Sequence, residues 1–329
     1  MLKNKKILVL IIFLIAVITS FVVSLINGSV EISSAQVMKA IFDFGDIPVD
    51  ETKQQILQNI RLPRTIVAIL VGINLSLSGA ILQAVMKNPL ADPHIIGISS
   101  GAGLFGIFVM LVKSDAGVLV TPAAFIGAML AAVLIYVLAW KDGIRPIRVI
   151  LAGVAVSAFL GAGISAMLIF HSDKVHSALL WMVGGLSARS WNHVEILYPY
   201  TIIGTLLTFL SARHLNILQL GDDVAKGLGL RVDLVRTLLT AVAALLAASA
   251  VCVVGLLGFV GLIIPHTARL IIGSDYRFLL PAAALLGAAV LTISDTFART
   301  MFAPTELPVG ILMAILGAPF FLFLLRREL

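Results

Sequence analysis

Two motifs in this chain have the spacing of known active sites. Gly97-Ile-Ser-Ser-Gly101 fits G-x-S-x-G, in which a serine on a sharp turn acts as nucleophile, and His266 lies at a comparable depth in another apolar stretch. Together they describe an intramembrane serine hydrolase (Ser99/His266). Gly101-Ala-Gly-Leu-Phe-Gly106 fits G-x-G-x-x-G, the phosphate-cradling turn of dinucleotide sites. Both motifs require a strand before the turn. Here both fall inside an apolar run, where Gly97 and Gly101 serve equally well for close helix packing. No H-E-x-x-H and no G-x-x-x-x-G-K-[ST] occurs, so neither a zinc-protease site nor an ATP-binding P-loop is encoded. Cys252 is the sole cysteine, which rules out a disulfide framework and a thiol metal cluster.

The other polar signals stand at the ends of apolar runs. Arg61-Leu-Pro-Arg64 opens one run, Asp295-Thr-Phe-Ala-Arg299 closes another, and Glu306-Leu-Pro-Val-Gly310 follows it. Helix-end anchoring with an i,i+4 pair of Asp295 and Arg299 is one account of these residues. The alternative is that Arg61, Arg64 and Arg299 hold out guanidinium forks to the carboxylates of a partner, since arginine binds carboxylate bidentately. A second polar segment, residues 218–231, reads as a short amphipathic helix. Asp222 or Asp223 can cap its start, Gly227 or Gly229 can end it, and Leu218, Leu220, Val224 and Leu228 give it an apolar side. Such a helix suits a groove on another subunit.

The elements that must position these groups are membrane helices. Of the 329 residues, 60% are hydrophobic and 12% charged, more apolar surface than a soluble domain of this size can hide. Ten apolar stretches lie at about 7–26, 62–82, 95–112, 117–140, 147–170, 194–212, 236–256, 258–272, 278–297 and 307–325, each near the roughly 20 residues that cross a bilayer. Backbone amides inside lipid have no water to bond, so these runs are read as helices in one domain over 1–329. The loop at 27–61 carries two capping boxes, Ser33-x-x-Gln36 and Thr52-x-x-Gln55, separated by the breaker Gly45-Asp46-Ile47-Pro48. The patch at 178–183 is too short to span and reads as a half-helix ended by Gly184-Gly185. The first run, behind Lys3, Lys5 and Lys6, is too long for a signal core and is read as an uncleaved helix.

Charge sets the orientation. Fifteen of the 23 lysines and arginines fall in the gaps that share a side with both termini, and eight in the others, while the 17 acids divide seven to ten the other way. The excess predicts both ends inside, with Arg61, Arg64 and Arg299 outside and 217–231 inside. The spans hold few ionisable groups, which disfavours an ion-coupled secondary transporter. The fifth span, with Gly153, Gly161 and Gly163 among many alanines, can pack closely or line a smooth passage.

At these residues the chain resembles the iron-chelate and vitamin B12 permeases of ABC importers (FecCD/BtuC-like). The matching segments run in order: Arg61-Leu-Pro-Arg64, Gly79-Ala-Ile-Leu-Gln83, Asn88-Pro-Leu-Ala-Asp-Pro93 with Gly97 to Gly103, and Trp181-Met-Val-Gly-Gly185. Ala225-x-x-Leu-Gly229, Gly258 to His266 with Arg269, Asp295 to Arg299, Glu306 to Gly310 and Gly317-Ala-Pro-Phe320 follow. The resemblance implies an all-α polytopic protein of ten transmembrane helices in a bacterial cell membrane, paired with a second copy or close paralogue. Two cytoplasmic ABC ATPases and an extracytoplasmic substrate-binding protein would complete the importer, with ATP and magnesium held by the ATPases and no cofactor in this chain. It implies binding-protein docking at Arg61, Arg64 and Arg299. ATPase coupling would lie in 217–231, through Leu218, Leu220, Gly221, Asp222, Asp223, Ala225, Gly227, Leu228 and Gly229. Gly153, Gly161, Gly163, Gly310 and Gly317 would line the translocation pathway, with Trp181 at the outer gate. The cargo expected is a ferric siderophore, with haem or cobalamin as alternatives, and no covalent chemistry or nucleic acid is involved.

Overall fold

The computed structural model describes residues 3–28, 30–42, 50–94, 97–141, 143 and 145–328. In chain order the first helices are α1 (Lys3–Ile26), α2 (Ser34–Phe42), α3 (Glu51–Gln55), α4 (Leu62–Val85) and α5 (Ile98–Val112). Next come α6 (Val120–Ala139), α7 (Pro146–Phe170), α8 (Val175–Val183), α9 (Trp191–Leu210) and α10 (Ala212–Leu218). The chain continues with α11 (Asp222–Gly227), α12 (Val232–Val254), α13 (Val260–Ile272), α14 (Tyr276–Thr300) and α15 (Val309–Glu328). There is no strand among the described residues.

Among the described residues seven helices are long and apolar enough to cross a membrane, and three shorter apolar ones, Ile98–Val112, Val260–Ile272 and Val309–Leu322, fall on the third, eighth and tenth expected spans. The centre of the bundle is α4, α12 and α14, whose apolar windows are 78%, 72% and 67% buried, against 17% for α1. Glycine makes this centre possible. A Cβ at Gly72 would strike the Gly287 carbonyl on α14, and one at Gly79 would strike Gly261 on α13. Close backbone approach is how helices associate in lipid, where burying leucine against leucine gains little over leucine against acyl chain. Hydrogen bonds across the same contacts, Asn74 Nδ2 to Ser249 Oγ at 3.1 Å and Ser78 Oγ to the Ala243 carbonyl at 2.7 Å, fix α4 against α12.

Three local expectations sort differently. The Ser33 capping box forms: Gln36 N–H donates to Ser33 Oγ at 3.3 Å and Ser33 N–H to Gln36 Oε1 at 3.1 Å. The Thr52 box does not, because the cap position is Asp50, two residues earlier, so Thr52 lies inside α3, which runs through a π-helical turn at Ile56–Arg61 directly into α4. Pro63 accounts for the widened turn, since it has no N–H to give and its ring crowds the carbonyl four residues before it. The breaker at 45–48 lies outside the described residues.

The short α15 starts where the backbones of α8 and α12 leave the helix between apolar segments. Such backbone is tolerated only where protein satisfies it. Here the ends of three helices satisfy one another. Gly185 N–H donates to the Val254 carbonyl at 2.8 Å, Gly310 N–H to that of Gly184 at 3.0 Å and Leu256 N–H to that of Trp181 at 3.3 Å. The carboxyl ends of α8 and α12 thus meet the amino end of α15. Gly184 and Gly255 hold φ of +79° and +81° there, a conformation that glycine takes without strain.

Candidate functional site

Polar chemistry gathers at both ends of the bundle. At one end α1 finishes, α4 begins, and α14 hands over to α15. Arg64, forced inward by the π turn, donates from Nε and Nη2 to the two oxygens of Asp295 at 2.8 and 2.9 Å, and from Nη1 to Glu306 Oε2 at 2.8 Å. Ser187 Oγ donates to the same Glu306 oxygen at 2.8 Å. Arg61 Nη1 donates to the carbonyls of Leu25 and Ile26 at 2.7 and 2.8 Å, and its Nη2 to that of Val30. Arg299 Nη2 reaches the carbonyl and hydroxyl of Ser24. The last carbonyls of a helix lack intrahelical donors and carry the negative end of its dipole, so two guanidiniums there close α1.

These arginines are only 4%, 6% and 8% exposed in the order Arg61, Arg64, Arg299. Arg61 and Arg299 anchor the end of α1, Arg64 pairs with Asp295 and Glu306, and all three forks are engaged within the chain. Both Asp295 oxygens accept from Arg64, so the expected i,i+4 partner, Arg299, gives way to a neighbour 231 positions away in sequence. The cluster nonetheless opens: a cavity of about 180 Å³ is bordered by Arg61, Arg64, Arg299 and Glu306, together with Gly28 and Pro304. Three guanidiniums face two carboxylates, leaving a net positive charge at its wall. Burial raises the Glu306 pKa, but the hydrogen bond and charge of Arg64 outweigh it and hold the carboxylate below its ordinary value. A fourth guanidinium, Arg189, escaped the sequence reading because it sits in an unremarkable loop. Burial and then the charge of Arg64 push its pKa down, and its Nη1 lies 3.2 Å from His193 Nε2.

The opposite end carries the 218–231 segment, split into α10 and α11 at Gly221, whose φ is +104°. Leu218 and Ala225 are buried in the bundle, whereas Leu220, Val224 and Leu228 project at 58%, 51% and 61% exposure. The apolar side expected of this segment is therefore divided: Leu218 anchors it and three residues face out. Gly229, at φ +83°, turns the chain into α12, and no neighbouring atom lies within 4 Å of a Cβ built at Gly221, Gly227 or Gly229. Asp223 is exposed in the first turn of α11. Asp222 Oδ1 accepts from Lys87 Nζ at 2.6 Å, and Arg236 Nη2 donates to both Asp222 oxygens at 3.0 and 3.3 Å. Partial burial raises the Asp222 pKa, while Lys87 and Arg236 together bring it below the usual range. A depressed carboxylate contributes above its unfolded pKa of about 3.9 and loses its effect as pH falls through the folded value, so these bonds are intact at neutral pH.

The expected passage residues fall into two groups. Gly153 and Gly163 pack inward: the Gly153 carbonyl lies against Gly97, and a Cβ at Gly163 would press on Leu104. Gly161 has open space, and the exposed alanines of α7 are Ala155, Ala158, Ala162 and Ala166. Glycine gives the backbone contact and alanine the open wall. On α15, Gly310 sits against the Val183 carbonyl and Gly317 against the Phe259 ring, while Ala314 and Ala318 are exposed. Trp181 is buried, with Gly106 beneath its ring. A groove of about 440 Å³ runs between the ends of α8, α13 and α15, with His94 at its rim. Ser99 Oγ has no hydrogen-bond partner, and His266 lies edge-on to Phe320 with ring centres 5.9 Å apart, so the serine–histidine pair of a hydrolase is not formed.

A model of the FecCD transport family matches residues 12–327. The chain belongs to the FecCD transport family. This FecCD protein is 39% identical over 327 residues to the Fe(3+)-citrate import system permease protein YfmE of Bacillus subtilis (strain 168), covering 99% of this chain and 97% of the relative. It is 44% identical over 279 residues to the cobalamin import system permease protein BtuC of Halobacterium salinarum, covering 84% of this chain and 75% of that one. In fold it is similar to a solved metal-chelate type ABC transporter in an inward-facing conformation, with TM-score 0.85, 28% identity, and coverage of 97% and 98% of the two chains. The FecCD chain is thus an all-α, multi-pass permease subunit of the ABC-importer type, without an ATPase site of its own.

Proposed function

We propose that this permease moves a ferric siderophore across a bacterial cell membrane, inward, as one of two permease subunits driven by two cytoplasmic ABC ATPases. Both termini lie in the cytosol. A binding protein loaded with cargo docks at the Arg64 end, placing an acidic side chain over the net-positive cavity bordered by Arg61, Arg64 and Arg299. At the other end the projecting Leu220, Val224 and Leu228 enter an apolar groove of an ATPase, with Gly221 and Gly229 setting the angle of the segment. ATP-driven closure of the ATPases pushes on 217–231 and tilts the helices. Cargo then passes Trp181 and the α8 end, and moves between the alanine face of α7 and α15 and the same faces of the second permease. No resident cofactor enters this scheme, because magnesium and ATP stay with the ATPases.

The observation that carries the reading is the pairing, in one apolar bundle, of a positive cavity at one end with a projecting apolar segment at the other. The similarity to a ferric-citrate permease along nearly the whole chain supports the choice of cargo. Its similarity to a cobalamin permease keeps cobalamin as the second reading. The test is reconstitution of the permease with its ATPase and binding protein in liposomes. ATP-dependent accumulation of a ferric siderophore is expected; accumulation of cobalamin or haem instead would overturn the cargo, and no ATP-dependent uptake at all would overturn the importer.

A further inference from the structure

Lys87 stands just past α4 with φ +50°, one of three non-glycine residues of positive φ among those described. Its surroundings are a helix-closing turn: Asn88 N–H donates to the Gln83 carbonyl at 3.1 Å and Lys87 N–H to that of Ala84 at 3.2 Å. Glycine is the ordinary occupant of that left-handed position, and a lysine there holds its backbone in strain. A half-exposed ion pair adds little stability, so stability does not account for a lysine at this position. What the conformation achieves is to aim Nζ at Asp222, 2.6 Å away, in the first turn of α11. The same carboxylate receives Arg236 of α12, whose side chain is 2% exposed.

A second tie lies beside it. Asn216 of α10 donates to Asp275 Oδ1 at 2.9 Å and accepts the Tyr276 N–H at 2.9 Å, at the start of α14. The 217–231 region is thus fastened to α4 and α14, the two helices that carry Arg64, Asp295 and Arg299 at their far ends. They touch backbone to backbone at Gly72 and Gly287. We propose that Lys87 is a positioning residue: through Asp222 it ties the coupling segment to α4, so that α4 with α14 carries the mechanical signal between binding-protein docking and the ATPase. This deepens the importer reading and rests on it.

The test uses the complete importer in liposomes, with binding protein and ferric siderophore. Wild-type uptake is read first, since its absence would fail the importer reading and leave Lys87 out of account. Lys87→Gly relieves the strained backbone while removing the cation, so it is expected to assemble with the ATPase and to keep basal ATP hydrolysis. Stimulation of hydrolysis by the loaded binding protein is expected to fall about tenfold, with uptake. Lys87→Arg should retain both. Asp222→Asn should lower stimulation at least as far, since it also takes the carboxylate from Arg236, and the double variant should be no worse than Asp222→Asn alone, because the Lys87 interaction is already gone in that single variant. Undiminished stimulation in Lys87→Gly, or additive losses in the double variant, would overturn the proposal. So would loss of assembly in Lys87→Gly, which would make the pair a structural one.

Discussion

Arg64 shows how far a residue's role can depart from its neighbours in sequence. Spacing along a helix can suggest only a partner three or four residues away, and it suggested Arg299 for Asp295. The structure supplies Arg64, whose planar fork matches both carboxylate oxygens while its third nitrogen holds Glu306. Removing one member of a buried pair strands the other, at about 3–5 kcal/mol. Arg64→Ala is therefore expected to lower the thermal midpoint of the purified permease markedly, and Arg64→Lys to restore it only in part, because an ammonium cannot bridge two carboxylates in a fixed plane. An unchanged midpoint in Arg64→Ala would show that Asp295 and Glu306 need no counter-charge. The end of the bundle to which these residues belong was legible from the sequence. That their charges are already matched was not, since the matching depends on which helix ends become neighbours. Arg189, a lone basic residue in a loop, gave no signal at all.

Among the elements, long apolar runs announce themselves, and among the described residues the ten expected spans fall on seven helices of membrane-crossing length and three shorter apolar ones. Their ends were less visible. α4 is prolonged by a π turn that only the packing around Pro63 makes intelligible, and the short α13 and α15 begin where other helices finish. Glycine and alanine content marked α7 as unusual, but composition could not separate a glycine in contact from one beside open space. That difference is testable. Gly310→Ala pushes a methyl into the Val183 carbonyl and is expected to cost about 1–3 kcal/mol and to impair uptake, since α8 and α15 must part to admit it. Gly161→Ala meets nothing and should be neutral or slightly stabilising through helix propensity alone. Equal melting temperatures for the two variants would contradict the contrast.

For the whole molecule the decisive property is polarity along the bundle axis. Two ionic clusters occupy opposite ends, and the bias of lysine and arginine between alternate loops supports the proposal that the 217–231 end faces the cytosol. With buried Cys252 contributing no background, an impermeant maleimide applied to intact cells should label Ala303→Cys and leave Leu228→Cys untouched, and the order should reverse in inverted vesicles. Labelling of both from one side would invalidate the transport scheme. The joint where α8, α12 and α15 converge has a further consequence. It is tied by peptide groups and needs glycine at Gly184, Gly255 and Gly310, while its hydrogen bonds make no demand on the other side chains that line the neighbouring groove. A wall can therefore be refashioned for a different chelate, larger or more oily, while the same articulated corner goes on working beneath it.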